Sequence, residues 1–312
     1  SCCLNFHRNG YQQQIWGIRQ SGTDTEWNLH CTAHTYDPSI IRCLVKTKSL
    51  DFPLYKELNA KSNFMIPFKD ITLADKDTIT SFTMKSDRRN CDLSFSNLCS
   101  WRFLYDTQFA VVDNFLVFKF WAGEQLAYMM PVGTGDLKAV LWELIEDARK
   151  ENQHFCMLGV CSNMRADLEA ILPEQFTFTE DRDYADYIYL RSDLSTLKGK
   201  KFQAKRNHIN RFRNTYPDYE YTPITPDRIQ ECLDLEAEWC KVNNCDQQEG
   251  TGNERRALIY ALHNFEALGL TGGILHVNGK IVAFTFGMPI NHETFGVHVE
   301  KADTSIEGAY AM

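Results

Sequence analysis

Lys198–Arg213 reads KGKKFQAKRNHINRFR, with seven basic residues, one histidine and no acid in sixteen positions. The whole chain of 312 residues has a formal net charge of −8, so removing the +7 of this run leaves −15 on everything else. A single basic block in an acidic chain marks a place where the protein can meet an anion. No proline interrupts the run, and its one glycine, Gly199, stands near the start. On a helical wheel Phe202, Ile209 and Phe212 fall on one side. Lys201, Lys205, His208 and Arg211 form a second stripe, and Arg206 and Arg213 flank the apolar strip opposite it. Such a helix docks its aromatic face on a core and presents cations on both sides. The competing reading is a solvated basic face paired with the preceding acids Asp183, Asp186 and Asp193.

Outward from this run, the chain reads as mixed α/β. Residues 64–195 form a first unit. It has a helix over Asp92–Tyr105, strands at 109–112 and 115–120 joined across Asp113-Asn114, and a strand at 125–130. A helix over 137–150, a strand at 155–160, a helix over 164–172 and strands at 176–179 and 186–190 follow. Residues 196–312 begin a second round. The basic helix comes first, then a strand at 219–225, a helix from Pro226 to about Val242 and a polar loop. A helix over 254–268 ends at Gly269, and Asn278-Gly279 is a strong hairpin turn between two strands. A strand at 294–300 leads through a loop to a new helix at Glu307, where the second unit is expected to be incomplete. Residues 1–63 show little periodicity and read as an unassigned extension, disordered or a small accessory piece. Met65 looks like a natural start.

Composition narrows the function classes. Hydrophobic residues make up 44% and charged residues 24% of the chain, which is globular. No run of about eighteen apolar residues exists, so no transmembrane helix is expected. The first twenty residues lack the apolar centre of a signal peptide. Eleven cysteines at irregular spacings suit a reduced, cytoplasmic setting. Cys156/Cys161 and Cys240/Cys245 lack a matching second pair, and a cluster of Cys2, Cys3, Cys31, His7, His30 and His34 is no stronger, so no metal is expected. There is no G-x-S-x-G, H-E-x-x-H or P-loop to support hydrolase, zincin or NTPase chemistry.

Two strand–loop–helix junctions are candidate anion sites, because a helix start presents free N–H groups and a positive dipole end. The first is Gly133-Thr134-Gly135-Asp136, for which a tight turn is an equal explanation. The second is Glu300-Lys301-Ala302-Asp303, leading to Gly308. Along its strand, Phe295, Val297 and Val299 share one face, so His298 and Glu300 share the other. The functional reading has His298 or Glu300 take a proton from an attacking amine or hydroxyl, and Lys301 or the helix start stabilise an oxyanion. Its rival is a polar outer face with a Glu300–Lys301 surface pair. Tyr187 and Tyr189 share a strand face and read as packing.

Four segments carry a family resemblance: ADYIYLRSDLSTLKGKKFQAKRNHINRFRNTYPDYEY (185–221), FSNLCSWR (95–102), PVGTGD (131–136) and HVEKADTSIEGAY (298–310). Together they resemble the C-terminal-domain family of phosphatidylglycerol lysyltransferases, formerly a bacterial domain of unknown function. The resemblance runs from about Met65 to Met312. It implies two tandem GNAT-like acyltransferase domains and an aminoacyl or acyl transfer, from an activated donor such as aminoacyl-tRNA to an amine or hydroxyl of a small-molecule or peptide acceptor. It makes His298, Glu300, Lys301 and Asp303 the candidate catalytic set. Lys198, Lys200, Lys201, Lys205, Arg206, His208, Arg211, Gly133, Gly135 and Gly308 become the candidate donor-binding set. The Q/R-x-x-G-x-G/A loop of acetyltransferases is absent, which weighs against acetyl-CoA as donor. An acetyl-CoA enzyme and a non-catalytic binder of tRNA or anionic lipid are the alternatives. A cytoplasmic protein, peripheral at the inner face of a membrane, fits all three.

Overall fold

The computed structural model describes residues 16–19, 42–47, 65–181, 186–243 and 249–312. Its strands are β1 Trp16–Arg19, β2 Arg42–Thr47, β3 Lys69–Asp70, β4 Gln108–Val112, β5 Phe115–Ala122, β6 Gln125–Tyr128 and β7 Val132–Gly133. They continue as β8 Cys156–Val160, β9 Phe176–Asp181, β10 Tyr187–Leu190, β11 Glu220–Pro223, β12 Thr271–Val277, β13 Lys280–Asn291 and β14 Thr294–Ala302. The helices are α1 Lys76–Thr83, α2 Phe95–Ser100, α3 Arg102–Tyr105, α4 Leu137–Lys150 and α5 Ser162–Ile171. After them come α6 Arg191–Thr196, α7 Gln203–Thr215, α8 Ile229–Asn243, α9 Glu249–His263 and α10 Phe265–Leu268. This is the mixed α/β chain expected from the sequence. Among the described residues no helix is long and apolar enough to cross a membrane.

Two compact units share these elements. A central unit holds residues 38–86 and 102–185, and a C-terminal unit holds 1–37, 87–101 and 186–312. The segment 87–101, with α2, therefore belongs to the C-terminal unit. The single helix expected over Asp92–Tyr105 is instead a 3-10 turn at Cys91–Leu93, then α2 and α3. Ser94 stops the 3-10 turn by adopting an extended conformation and accepting the Asn97 N–H, as an N-cap does.

In the central unit the sheet runs β3-β4-β5-β6-β8-β2-β9, with β7 paired to β5. The β4–β5 turn places Asp113 and Asn114 at φ 44° and 64°, the left-handed pair a two-residue hairpin requires. Neighbours β6 and β8 are parallel and share a single register pair, Tyr128 with Met157. The chain between them makes α4. Asp136 caps this helix by accepting the Ala139 N–H at 3.1 Å, and Val140, Leu141, Leu144, Ile145 and Ala148 give it a buried stripe. A polar network crosses the core here. The Tyr128 hydroxyl donates to Asp147 at 2.7 Å, and Lys119 reaches the same carboxylate at 3.1 Å. Burial and the Asp147 charge push the Tyr128 phenol far up, so it stays a donor.

The C-terminal unit is a six-stranded sheet, β10-β1-β14-β13-β12-β11. Asn278 and Gly279, at φ 51° and 74°, make the β12–β13 turn. One face of the sheet meets α8 and α9. The other meets α7, whose Phe212 packs with Leu275, Val277, Val282 and Ala302.

Gly133 has a packing reason to be glycine. A Cβ there would lie 2.1 Å from the Asn114 carbonyl oxygen and 2.8 Å from Phe115 Cα, both backbone atoms of the β4–β5 hairpin. Gly133→Ala is therefore expected to destabilise the protein by about 2 kcal/mol or more. A urea titration reads this as a lower midpoint at unchanged slope, and an unshifted midpoint would show that the hairpin yields freely.

Candidate active site

The basic run folds as expected, as a 3-10 turn at Lys200–Phe202 followed by α7. Phe202 and Phe212 are fully buried and Ile209 nearly so. The cations divide into two groups. Lys201 pairs with Asp193 at 2.9 Å, Arg211 pairs with Glu307, and Arg206 donates to the carbonyls of Leu197 and Gly199. Both carbonyls belong to residues at positive φ, 48° and 94°, so Arg206 stitches down the turn that starts its own helix. Lys205 is half-buried. Lys198, Lys200, His208 and Arg213 are exposed and have no ion-pair partner among the described residues. The rival reading of a paired basic face thus holds for part of the run only.

The second candidate junction packs directly on this helix. Gly308 sits at φ 87°, and a Cβ there would lie 2.9 Å from both the His208 carbonyl oxygen and Phe212 Cβ. Asp303 shapes the loop between. Its backbone N–H donates to Val282 at 2.8 Å, and its carboxylate accepts from the Ser305 N–H and hydroxyl at 2.8 and 2.6 Å. Asp303 is therefore committed to a turn. The helix expected at Glu307 is one 3-10 turn, Ala309–Ala311. Its Tyr310 hydroxyl donates to Glu300 at 3.3 Å.

A bulge interrupts β14: Val297 pairs with Gly287 but Val299 pairs with Phe286, so the period of two expected from the sequence holds on either side of His298 and not across it. Phe295, Val297 and Val299 are buried, and Phe295 and Val297 pack with Tyr189, Leu194 and the half-buried Tyr187. Glu300, paired with Thr285, faces the same side as Phe295 and Val297 and away from Val299, and it is half-buried. Lys301 projects to the side opposite Glu300, because consecutive strand residues point apart. The expected Glu300–Lys301 surface pair is thus replaced by a buried one. The Lys301 ammonium lies 2.8 Å from Glu254, 3.8 Å from Glu236 and 3.5 Å from the centroid of the Trp239 ring. All three partners come from α8 and α9.

His298 is 4% exposed, and neither ring nitrogen has a hydrogen-bond partner. Burial pulls its pKa down to about 3, so the ring is neutral at neutral pH. A base whose conjugate acid is that strong accepts protons poorly, which leaves Glu300 as the better acceptor.

Glu236 and Glu254 went unnoticed in the sequence, although a signal for Glu236 was there. It lies four residues from both Cys232 and Cys240, on the apolar stripe of α8 and not on its acidic face. The buried free thiols are inert: burial pushes Cys156 up to about 11 and Cys232 up to about 12, away from the thiolate a nucleophile needs. Cys240 departs from the reduced pattern and is disulfide-bonded. Cys245 and the Cys/His set within residues 2–34 lie outside the described residues. At the first junction, the Asp136 carboxylate already occupies the α4 start, and a negative charge there disfavours a phosphate.

Residues 83–312 match the family model for the C-terminal part of phosphatidylglycerol lysyltransferase. The chain belongs to this family. Family membership makes it a transferase-type domain. A crystal structure of a conserved protein of unknown function from Bacteroides thetaiotaomicron is 94% identical, with a TM-score of 0.78 over 80% of this chain and 84% of that one. Two further structures are more distant. One is a lysylphosphatidylglycerol synthetase-type C-terminal domain from Agrobacterium fabrum, 15% identical, TM-score 0.42, over 69% of this chain and 63% of that one. The other is the L-PGS of Bacillus licheniformis, 16% identical, TM-score 0.41, over 80% and 74%. A comparison with curated proteins returns no match.

The buried imidazole has a measurable signature. Its pKa is depressed from the ordinary 6.5, so its stabilising contribution is complete above pH 6.5 and fades as pH falls towards 3. Relative to His298→Leu, the native protein is expected to lose up to about 1.4 kcal/mol per pH unit between pH 6.5 and 4. Urea titrations at half-unit pH steps check this, and parallel curves for the two proteins would mean the ring is solvated.

Proposed function

We propose that the chain is an acyltransferase of the lysyltransferase type, in which α7 receives a polyanionic activated donor and Glu300 serves the acceptor. The observation that carries this reading is the contact between the two motifs. Gly308 is pressed on the backbone of His208, and Arg211 is tied to Glu307. A phosphate-binding surface and a strand end bearing a carboxylate therefore adjoin. Aminoacyl-tRNA suits this arrangement as donor. Lys198, Lys200 and Arg213 would meet its phosphates, and the exposed His208 ring would stack on a terminal base. The two units are then each read as GNAT-like. Their order of hairpin, strand, helix and strand in the central unit supports that, as does the β12–β14 meander in the other.

The chemistry asks little of the protein, because the donor ester is already activated. The lone pair of an amine or hydroxyl attacks the ester carbonyl, and Glu300 takes the proton released. Collapse of the tetrahedral intermediate breaks the bond to the ribose oxygen, which recovers that proton. Lys301 is committed to Glu254 and takes no direct part. The protein would work in the cytoplasm, touching an anionic lipid surface from the inner side through the same cations.

The test measures transfer of labelled aminoacyl groups, with binding of charged tRNA, acetyl-CoA and phosphatidylglycerol vesicles in parallel. Glu300→Gln is expected to lower transfer by about 100-fold or more and to leave tRNA binding unchanged. Lys198→Glu/Lys200→Glu is expected to weaken tRNA binding and to flatten its salt dependence by about one unit of slope per lost contact. Coenzyme A binding with indifference to tRNA would move the chain to the acetyltransferases. Salt-dependent tRNA binding without any transfer would make it a non-catalytic binder.

A further inference from the structure

The cluster behind β14 is a concentration of buried charge that the reaction above leaves unused. Lys301 is 5% exposed, Glu236 1% and Glu254 8%. One ammonium faces two carboxylates, and the contacts are unequal. Glu254 accepts a hydrogen bond from Lys301 at 2.8 Å. Glu236 stands off at 3.8 Å, and its Oε2 has no hydrogen-bond partner. The Trp239 ring closes the ammonium on a third side. Out of water, an unbalanced charge is expensive. A proton on one carboxyl lowers that cost, and the carboxyl without a hydrogen bond to the ammonium is where it fits.

Other charged groups stand around Glu236, and none of them hydrogen-bonds to its Oε2. Arg255 comes from α9 and also pulls on the Glu236 charge, less than Lys301 does. His276 of β12 is engaged with Glu231, a turn earlier on α8, at 2.7 Å. Arg228, at the helix start, is turned to the Thr222 hydroxyl. The one titratable side chain on β13 is Lys280, exposed at the hairpin. Burial pushes the Glu236 carboxyl up to about 7. The Glu254 charge adds to that, against the pull of Lys301 and Arg255.

We propose that Lys301 is a positioning residue, held behind the sheet by Glu254, Glu236 and Trp239 so that Glu300 is presented on the other face, and that Glu236 is the member of this clamp that carries a proton. The positioning half rests on the reading of Glu300 given above. The proton half stands on the clamp alone.

Two arms keep those halves apart. The first needs no substrate: melting temperatures of the native protein and Glu236→Gln from pH 5.5 to 8.5. A carboxyl whose folded pKa is raised stabilises the fold below its unfolded value of 4.5, and that contribution is lost as pH rises through about 7. The native protein is therefore expected to fall progressively below Glu236→Gln as pH rises to about 7, and to stay several degrees below it, at a constant gap, from there to pH 8.5. Superimposable pH courses would overturn the proton assignment. The second arm compares kcat and KM. Lys301→Met alone strands two acids and is expected to unfold readily. The companion Lys301→Met/Glu236→Gln/Glu254→Gln removes the three charges of the clamp together and is expected to fold. It should lose at least tenfold in kcat at an unchanged KM for charged tRNA. Native kcat in that variant would overturn the positioning role. Absence of transfer by the native protein would instead count against the proposed reaction, and would leave the first arm to decide the clamp.

Discussion

The ion pair between Lys301 and Glu254, with Glu236 beside it, sets terms for the rest of the C-terminal unit. A buried ammonium removed from its partners costs about 3–5 kcal/mol, a large share of a domain's total stability. The pair spans 47 residues of sequence. It can exist only when α8 and α9 are docked and β14 lies across them. The surroundings are apolar and aromatic: Phe284 and Phe286 stack in the neighbouring strand, and Phe265 meets Phe286 edge-on. These rings exclude the water that would otherwise weaken the attraction. The opposite face of the sheet is a packed counterpart, with Phe212 of α7 as its centre.

Much of this could be read from residue order. Asp113-Asn114 and Asn278-Gly279 announce their hairpins because few other dipeptides tolerate positive φ twice in succession. The apolar triad Phe202, Ile209 and Phe212 gives the buried side of α7, since helical spacing leaves it no other partner than a core. The period of two along β14 separates Glu300 from Val299, but the bulge before Val299 puts Phe295 and Val297 on the side of Glu300, which the sequence does not show. These are local rules, and locality is why they work. The break at Ser94 is also local, yet the aromatic run that follows it hides a capping serine inside what reads as one helix.

Tertiary facts were out of reach. Nothing near Lys301 in sequence tells that its partners lie on two helices far upstream, so its side chain reads as a surface cation. The capture of Arg206 by two carbonyls, and of Arg211 by Glu307, depends on a turn at positive φ and a loop folded back from a hundred residues on. Composition alone overcounts the cations open to a ligand for that reason. His298 shows the converse. The sequence places it beside Glu300, but it stands at the bulge of β14 and is almost completely buried, and burial decides that the ring is a poor base.

The opposed projection of Glu300 and Lys301 has a bearing on how the sheet assembles. Strands β13 and β14 already accommodate two register shifts, after Phe286 and near Pro289. A strand pairing is specified against its neighbouring registers by what each register would bring together. A slide of one would bring Glu300 to the helical side, against Glu236 and Glu254, and put Lys301 on the α7 side. Three carboxylates would then crowd together with no ammonium among them. The same charges that sit comfortably in the native pairing thus penalise the pairing one position away.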